Sequence, residues 1–231
     1  MKTILLKLVK TVLLVLLIIL MVPSVRLAAQ NISFGIFADP VISWFSTDTK
    51  ETQNNGARAG FNFGFTFNKY FRTNYAFSTG ISILSASGRL ISTDTTDMKF
   101  NNSSAKVLPG KPIVYKIQYL SVPIGLKFKS NQIGYITFFS DIGIDPKVVI
   151  GGKADIPSLG IKGEAAMNEL TAFNLSYHIM FGTEYSLGGS TALVFGLGYE
   201  NIFLDVTKDI NKQPIDKVTQ NILKFRIGIN F

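Results

Sequence analysis

The chain has 231 residues, with 23 Lys and Arg against 15 Asp and Glu, a formal net charge of +8, and no cysteine. Without cysteine there is neither a disulfide framework nor a lipid-bearing N-terminal cysteine. The single histidine, His178, leaves no His/Cys/Asp/Glu grouping with metal-ligand spacing.

The first segment is a leader by pattern. Lys2, Lys7 and Lys10 precede an unbroken apolar run over Val12–Val22, and Pro23 and Ser24 close it ahead of Leu27-Ala28-Ala29. That order is the n-, h- and c-region of a secretory signal peptide, and the run is short for a spanning helix. Residues 1–29 are expected to be cleaved after Ala29, leaving 30–231 as one domain; an uncleaved N-terminal anchor is the alternative. Four bases and no acids lie in the leader, so the remainder carries 19 bases against 15 acids, or +4. The basic balance is therefore partly a targeting feature and implies no nucleic-acid partner.

Eight alternating segments follow, at 32–45, 57–69, 74–88, 113–128, 133–148, 169–186, 191–206 and 219–231. In the second, Ala59, Phe61, Phe63, Phe65 and Phe67 form one row, and Arg58, Gly60, Asn62, Gly64, Thr66 and Asn68 the other. A period of two marks a strand with one apolar and one polar face. Four phenylalanines at that spacing are a liability against water and suit contact with lipid. The third and sixth segments repeat the scheme through Tyr75, Phe77, Ile81 and Ile83, and through Phe173, Tyr177 and Phe181. The last aligns Leu223, Phe225, Ile227, Ile229 and Phe231 against Lys224, Arg226, Gly228 and Asn230. Its outward set Phe225, Ile227, Ile229 and Phe231 resembles the closing strand that the barrel-assembly machinery reads in outer-membrane proteins.

The connections alternate in length. Tight turns are expected at 68–73, 129–132 and 187–190, the last around Gly188-Gly189, with long polar links at 46–56, 89–112, 149–168 and 207–218. Short periplasmic turns and longer external loops are the rhythm of a transmembrane barrel. The expected fold is all-β: an eight-stranded antiparallel up-and-down barrel in the outer membrane. A soluble lipocalin-like barrel, with apolar rows inside, is the alternative.

Parity assigns Arg58, Lys127, Asp141, His178, Glu184, Glu200, Lys224 and Arg226 to the interior. A barrel of this size is just wide enough for side chains to fill it, so these charges must pair. Arg58 or Arg226 is expected beside Asp141, Glu184 or Glu200. The expected product is a structural plug; a gated ion path is the competing reading. Ser176 and His178, two apart on one face, allow a Ser–His contact, but both point away from lipid substrate, so no catalytic residue is assigned. Gly151-Gly152-Lys153 lacks the strand-to-helix context of a phosphate loop, and no cofactor is expected. The links 89–112 and 149–168 are the expected contact regions, because barrels act through loops on a rigid scaffold.

Residues 117–128, Ile-Gln-Tyr-Leu-Ser-Val-Pro-Ile-Gly-Leu-Lys-Phe, resemble the Tyr-Leu-Glu-Ile-Pro strand of PorT-like outer-membrane barrels. Asn131–Tyr135, Glu184–Ser190 and Phe231 extend the resemblance. It implies a small eight-stranded barrel in the outer membrane, with envelope or type IX secretion components as possible partners. Ser121 stands where that family has Glu, so the family's lumen salt bridge is either missing or made by Glu184 or Glu200. Pro123 lacks the N–H that a ladder needs, which predicts a bulge or a broken hydrogen bond there.

Overall fold

Strand follows strand through the computed structural model, which describes residues 32–101, 103–208 and 216–231. The expected leader, 1–29, lies outside them. The strands are β1 (Ile32–Thr47), β2 (Thr52–Asn54), β3 (Arg58–Arg72), β4 (Tyr75–Ser92), β5 (Thr96–Lys99), β6 (Ser104–Val107) and β7 (Pro112–Ser121). They continue as β8 (Ile124–Lys129), β9 (Ile136–Ile156), β10 (Ile161–Ala165), β11 (Phe173–Gly188), β12 (Thr191–Ile202) and β13 (Val218–Asn230).

Every stave pairs antiparallel with the next: β1 with β3, β3 with β4, then β4 with β7 and β8 laid end to end. Those two pair with β9, which is followed by β11, β12 and β13, and β13 returns to β1. The eight staves close into a barrel with no free edge, the condition for a sheet to sit in lipid. Phe231 fastens the seam through two backbone bonds with Phe34, at 2.7 and 3.1 Å.

Facing follows the alternation. Phe61, Phe63, Phe65, Phe173, Phe195, Phe225 and Ile227 are 40–54 % exposed on the outer wall, whereas Asp39, Lys147 and Glu200 are 0–1 % exposed in the lumen. A lipocalin-like barrel would show the reverse. Three phenylalanines depart from the outward rule: Phe37, Phe45 and Phe139 are buried. Gly88 makes room for one of them, since a Cβ there would stand 2.2 Å from the Phe45 ring.

The fourth stave is interrupted at Val122-Pro123, where the proline predicts it. Val122 donates instead to the Pro146 carbonyl at 3.0 Å, and Thr79 Oγ1 donates to that of Pro123 at 2.9 Å. Gly188 and Gly189 turn the β11–β12 hairpin at φ 109° and 61°, a region costly for any residue with a Cβ. The turn expected at 129–132 lies later, at Ile133–Ile136, where Gly134 takes φ 63°.

The larger departure is at the other end. The links 46–56, 89–112 and 149–168 are not plain loops. β2 pairs with the end of β4, β5 and β6 form a hairpin, and β9 runs on to Ile156 before β10 folds back along it. Bounds shift accordingly: β11 starts at Phe173 rather than 169, after a short 3-10 turn over Met167–Glu169, and β12 stops at Ile202 rather than 206.

Candidate functional site

The lumen is built in two tiers, and the inward row of each stave decides which residues enter which tier. In the tier nearer Ile32 and Phe231 the row is polar. Lys127 on β8 pairs with Glu184 on β11 at 2.6 Å, and Lys129 takes the other Glu184 oxygen at 2.5 Å. Asn230 Nδ2 donates to the same carboxylate at 2.8 Å. On the seam side, Arg226 makes a two-pronged contact with Asp39, at 2.9 and 3.1 Å, and its guanidinium lies 3.8 Å from the centre of the Phe37 ring. A fork-to-fork arginine–carboxylate pair fixes orientation as well as charge.

Between these pairs lies the densest group. His178 has Nδ1 2.9 Å from Asp145 and Nε2 3.3 Å from Asp141, so both ring nitrogens face carboxylates. Gly143, directly across the ladder from His178, is what admits the ring: a Cβ there would stand 2.9 Å from His178 Cε1. Lys147 reaches Glu200 at 2.8 Å and donates to Ser121 Oγ at 2.8 Å, while Lys224 pairs with the other Glu200 oxygen. Ser176 Oγ lies 3.0 Å from Glu200 and 3.1 Å from Asp145. Its hydroxyl is engaged by carboxylates, and the Ser–His contact that the spacing allows is replaced by a shared one through Asp145.

Five carboxylates (Asp39, Asp141, Asp145, Glu184, Glu200) thus meet five cations (Lys127, Lys129, Lys147, Lys224, Arg226) around one histidine. The count balances, as a buried tube of charge requires. Seven of the eight inward residues named from sequence lie in this lattice. Two details differ. Arg226 pairs with Asp39 and not with Asp141, Glu184 or Glu200. Arg58, at the far end of β3 opposite Ser43, is only half-buried, joins no ion pair among the described residues, and leaves its Nε without a hydrogen-bond partner. Sequence reasoning missed Asp39, Lys129, Asp145 and Lys147, although each shares parity with an inward neighbour (Val41, Lys127, Asp141).

Tyr119, whose hydroxyl donates to Gln220 at 2.9 Å, marks the boundary with the second tier. Above it the inward row turns apolar. Phe45, Ile117, Ile156, Ile202, Val218 and Ile222 are buried around Met98, Phe100 and Val107 of the β5–β6 hairpin. The hairpin is tied down where the Lys99 N–H donates to Glu169 at 2.6 Å, and Leu170 and Ala166 are buried in the same apolar cluster. Each large apolar side chain so placed gains about 1.5–3 kcal/mol over an exposed position. The void left among Asp141, Asp145, His178, Lys224 and Arg226 is only ≈ 40 Å³, with a second of ≈ 20 Å³ beside Lys127 and Asn230. At about 10–15 Å³ per water on this measure, the larger admits roughly three.

Outside the second tier, the β9–β10 hairpin carries Asp155, paired with Lys116 and accepting the Gly163 N–H at 2.7 Å. Burial works against its charged form, but the Lys116 and Gly163 contacts hold the carboxyl below its ordinary 3.8. Among the described residues there is no group of His, Cys, Asp and Glu arranged to hold a metal ion.

A family model described as the outer membrane protein beta-barrel domain matches residues 28–201. No curated protein sequence matches the chain. Among solved structures, Neisserial surface protein A is similar at 10 % identity over 85 % of this chain and 95 % of that one, with a TM-score of 0.47. Ail of Yersinia pestis, in a complex with a heparin analogue, is similar at 16 % identity over 87 % and 99 %, with a TM-score of 0.43. OprG of Pseudomonas aeruginosa is similar at 13 % identity over 86 % and 93 %, with a TM-score of 0.39.

Proposed function

Because the chain belongs to the outer membrane protein β-barrel domain family, and is therefore a small outer-membrane barrel, we propose that it is a sealed, non-enzymatic scaffold acting through its external rim on an envelope partner. The observation that carries this reading is the doubly filled lumen, a balanced charge lattice below an apolar plug. Such an interior leaves the rim as the surface on which a partner can be read. Two rim regions stand out among the described residues, the β5–β6 hairpin and the β9–β10 extension. The engagement of Ser176 and His178 by carboxylates, deep in the lumen, supports a non-enzymatic role. The remaining expected partners are lipid along the exposed wall and, during assembly, the machinery that reads the outward row Phe225, Ile227, Ile229 and Phe231.

Affinity capture from outer membranes tests the proposal, comparing the wild-type barrel with one whose residues 157–163 are replaced by a short turn. Partners present with the first and lost with the second are expected, with the variant still showing the heat-dependent gel mobility of a folded barrel. An identical set of captured proteins, both for this variant and for one with the β5–β6 hairpin replaced, would contradict the rim as the working surface. The similarity of residues 117–128 to PorT-like barrels supports a second, narrower reading, an accessory of a type IX secretion apparatus. Loss of a secretion-machine component in the same capture, with a changed surface proteome, is its expected signature.

A further inference from the structure

On one side of the outer wall the apolar surface gives way to polar residues. Across four neighbouring staves, Phe63, Ile83, Leu120 and Val148 are register partners and form a continuous apolar row. One step outward along the strands the partners are Phe61, Ser85, Gln118 and Gly151, and the next step brings Ser87, Lys116 and Lys153 into line. The apolar belt therefore ends at Phe61, Ile83, Leu120 and Ile150 on these four staves. Beyond it, small or missing side chains at Ala59, Ser85, Ser87 and Gly151 leave a cavity of ≈ 330 Å³ in the outside of the wall. Lys116, Gln118 and Lys153 line it, and the inward-facing Ala86, Ile117 and Gly152 supply its floor.

The charge in this cavity is unbalanced. Lys116 and Lys153 stand directly opposite each other on β7 and β9, a placement that is unfavourable for two like charges. Asp155 takes Lys116, whose side chain is still 45 % exposed, while among the described residues no acid pairs with Lys153. Arg89 on β4 and Lys162 on β10 add positive charge at the outer margin, the latter felt by Asp155. A polar, cationic hollow directly above a lipid-facing row lies where headgroups meet acyl chains.

We propose that this hollow is a lateral binding site for the phosphate-bearing headgroup of an anionic lipid. Lys116 and Lys153 would clamp the phosphate, Gln118, Ser85 and Ser87 would offer hydrogen bonds to neighbouring oxygens, and an acyl chain would follow Ile83, Leu120 and Val148 down the wall. The cationic pair gives the lipid its charge selectivity, and the apolar row distinguishes a lipid from a free anion. This site is independent of the rim partner proposed above.

Native mass spectrometry of the intact barrel in dodecyl maltoside tests it, with phosphatidylglycerol, phosphatidylcholine and inorganic phosphate as separate probes. Retention of phosphatidylglycerol over phosphatidylcholine is expected, weakened roughly thirtyfold by Lys116→Gln with Lys153→Gln. Lys50→Gln with Lys208→Gln, at exposed positions elsewhere on the rim, should leave retention unchanged. Ser85→Leu keeps both lysines but fills the hollow, and should also weaken binding. Equal retention by the wild type and the Lys116/Lys153 variant would overturn the site. So would inorganic phosphate competing at parity with phosphatidylglycerol, which would mark a free-anion site instead.

Discussion

Lys147 is 1 % exposed and holds two carboxylates at once, Glu200 at 2.8 Å and Asp145 at 3.9 Å, while donating to Ser121. Its removal leaves acid charge in a closed interior, a larger effect than losing a surface pair. Lys147→Met is expected to cost roughly 3–5 kcal/mol, read from urea unfolding followed by the fluorescence of Trp44, the sole tryptophan. A change within 1 kcal/mol would mean that water reaches this group freely. The same contact accounts for Ser121. At position 121 the chain offers a hydroxyl, and the carboxylate that satisfies Lys147 comes from Glu200 on β12. Parity alone was enough to place Lys127, Glu184, Glu200 and Arg226 in the lumen. It was equally able to place Asp39 and Asp145. Both lie inside the segments expected as strands, 32–45 and 133–148, which run through Pro40 and Pro146, so their inward parity was as legible as that of Asp141. Partner choice was not legible, because pairing depends on barrel closure, which brings β13 beside β1 and Arg226 onto Asp39.

At the scale of elements, the eight staves and the break at Pro123 were legible because each repeats or interrupts a period of two over many residues. The plug was not. Met98, Phe100 and Val107 are sparse apolar residues in a polar link, and their burial comes only from docking onto residues far away in sequence, such as Ile202 and Ile222. Local pattern carries no trace of that contact. Phe100→Ala should cost the docked hairpin about 3–5 kcal/mol. Amides of β5 and β6 should then exchange much faster in hydrogen–deuterium exchange, while those of β11 and β12 keep their protection. Uniform loss of protection across all staves would show that the hairpin is part of the barrel's global fold rather than a separately docked plug.

For the whole molecule, the wall answers to lipid and the interior answers to itself. Outward phenylalanines satisfy the bilayer, balanced charges fill the tier near Ile32 and Phe231, and apolar side chains fill the tier beneath the rim. Among the described residues, the voids within the charge lattice are water-sized. Whether the barrel is closed to ions decides between a sealed lumen and an ion path, and planar-bilayer recording of the purified wild-type protein measures this directly. The expected result is no steady conductance above the bare bilayer, with openings appearing only when Phe100→Ala and Lys147→Met are combined. A steady, reproducible wild-type conductance would contradict the sealed lumen and make the charge lattice an ion path.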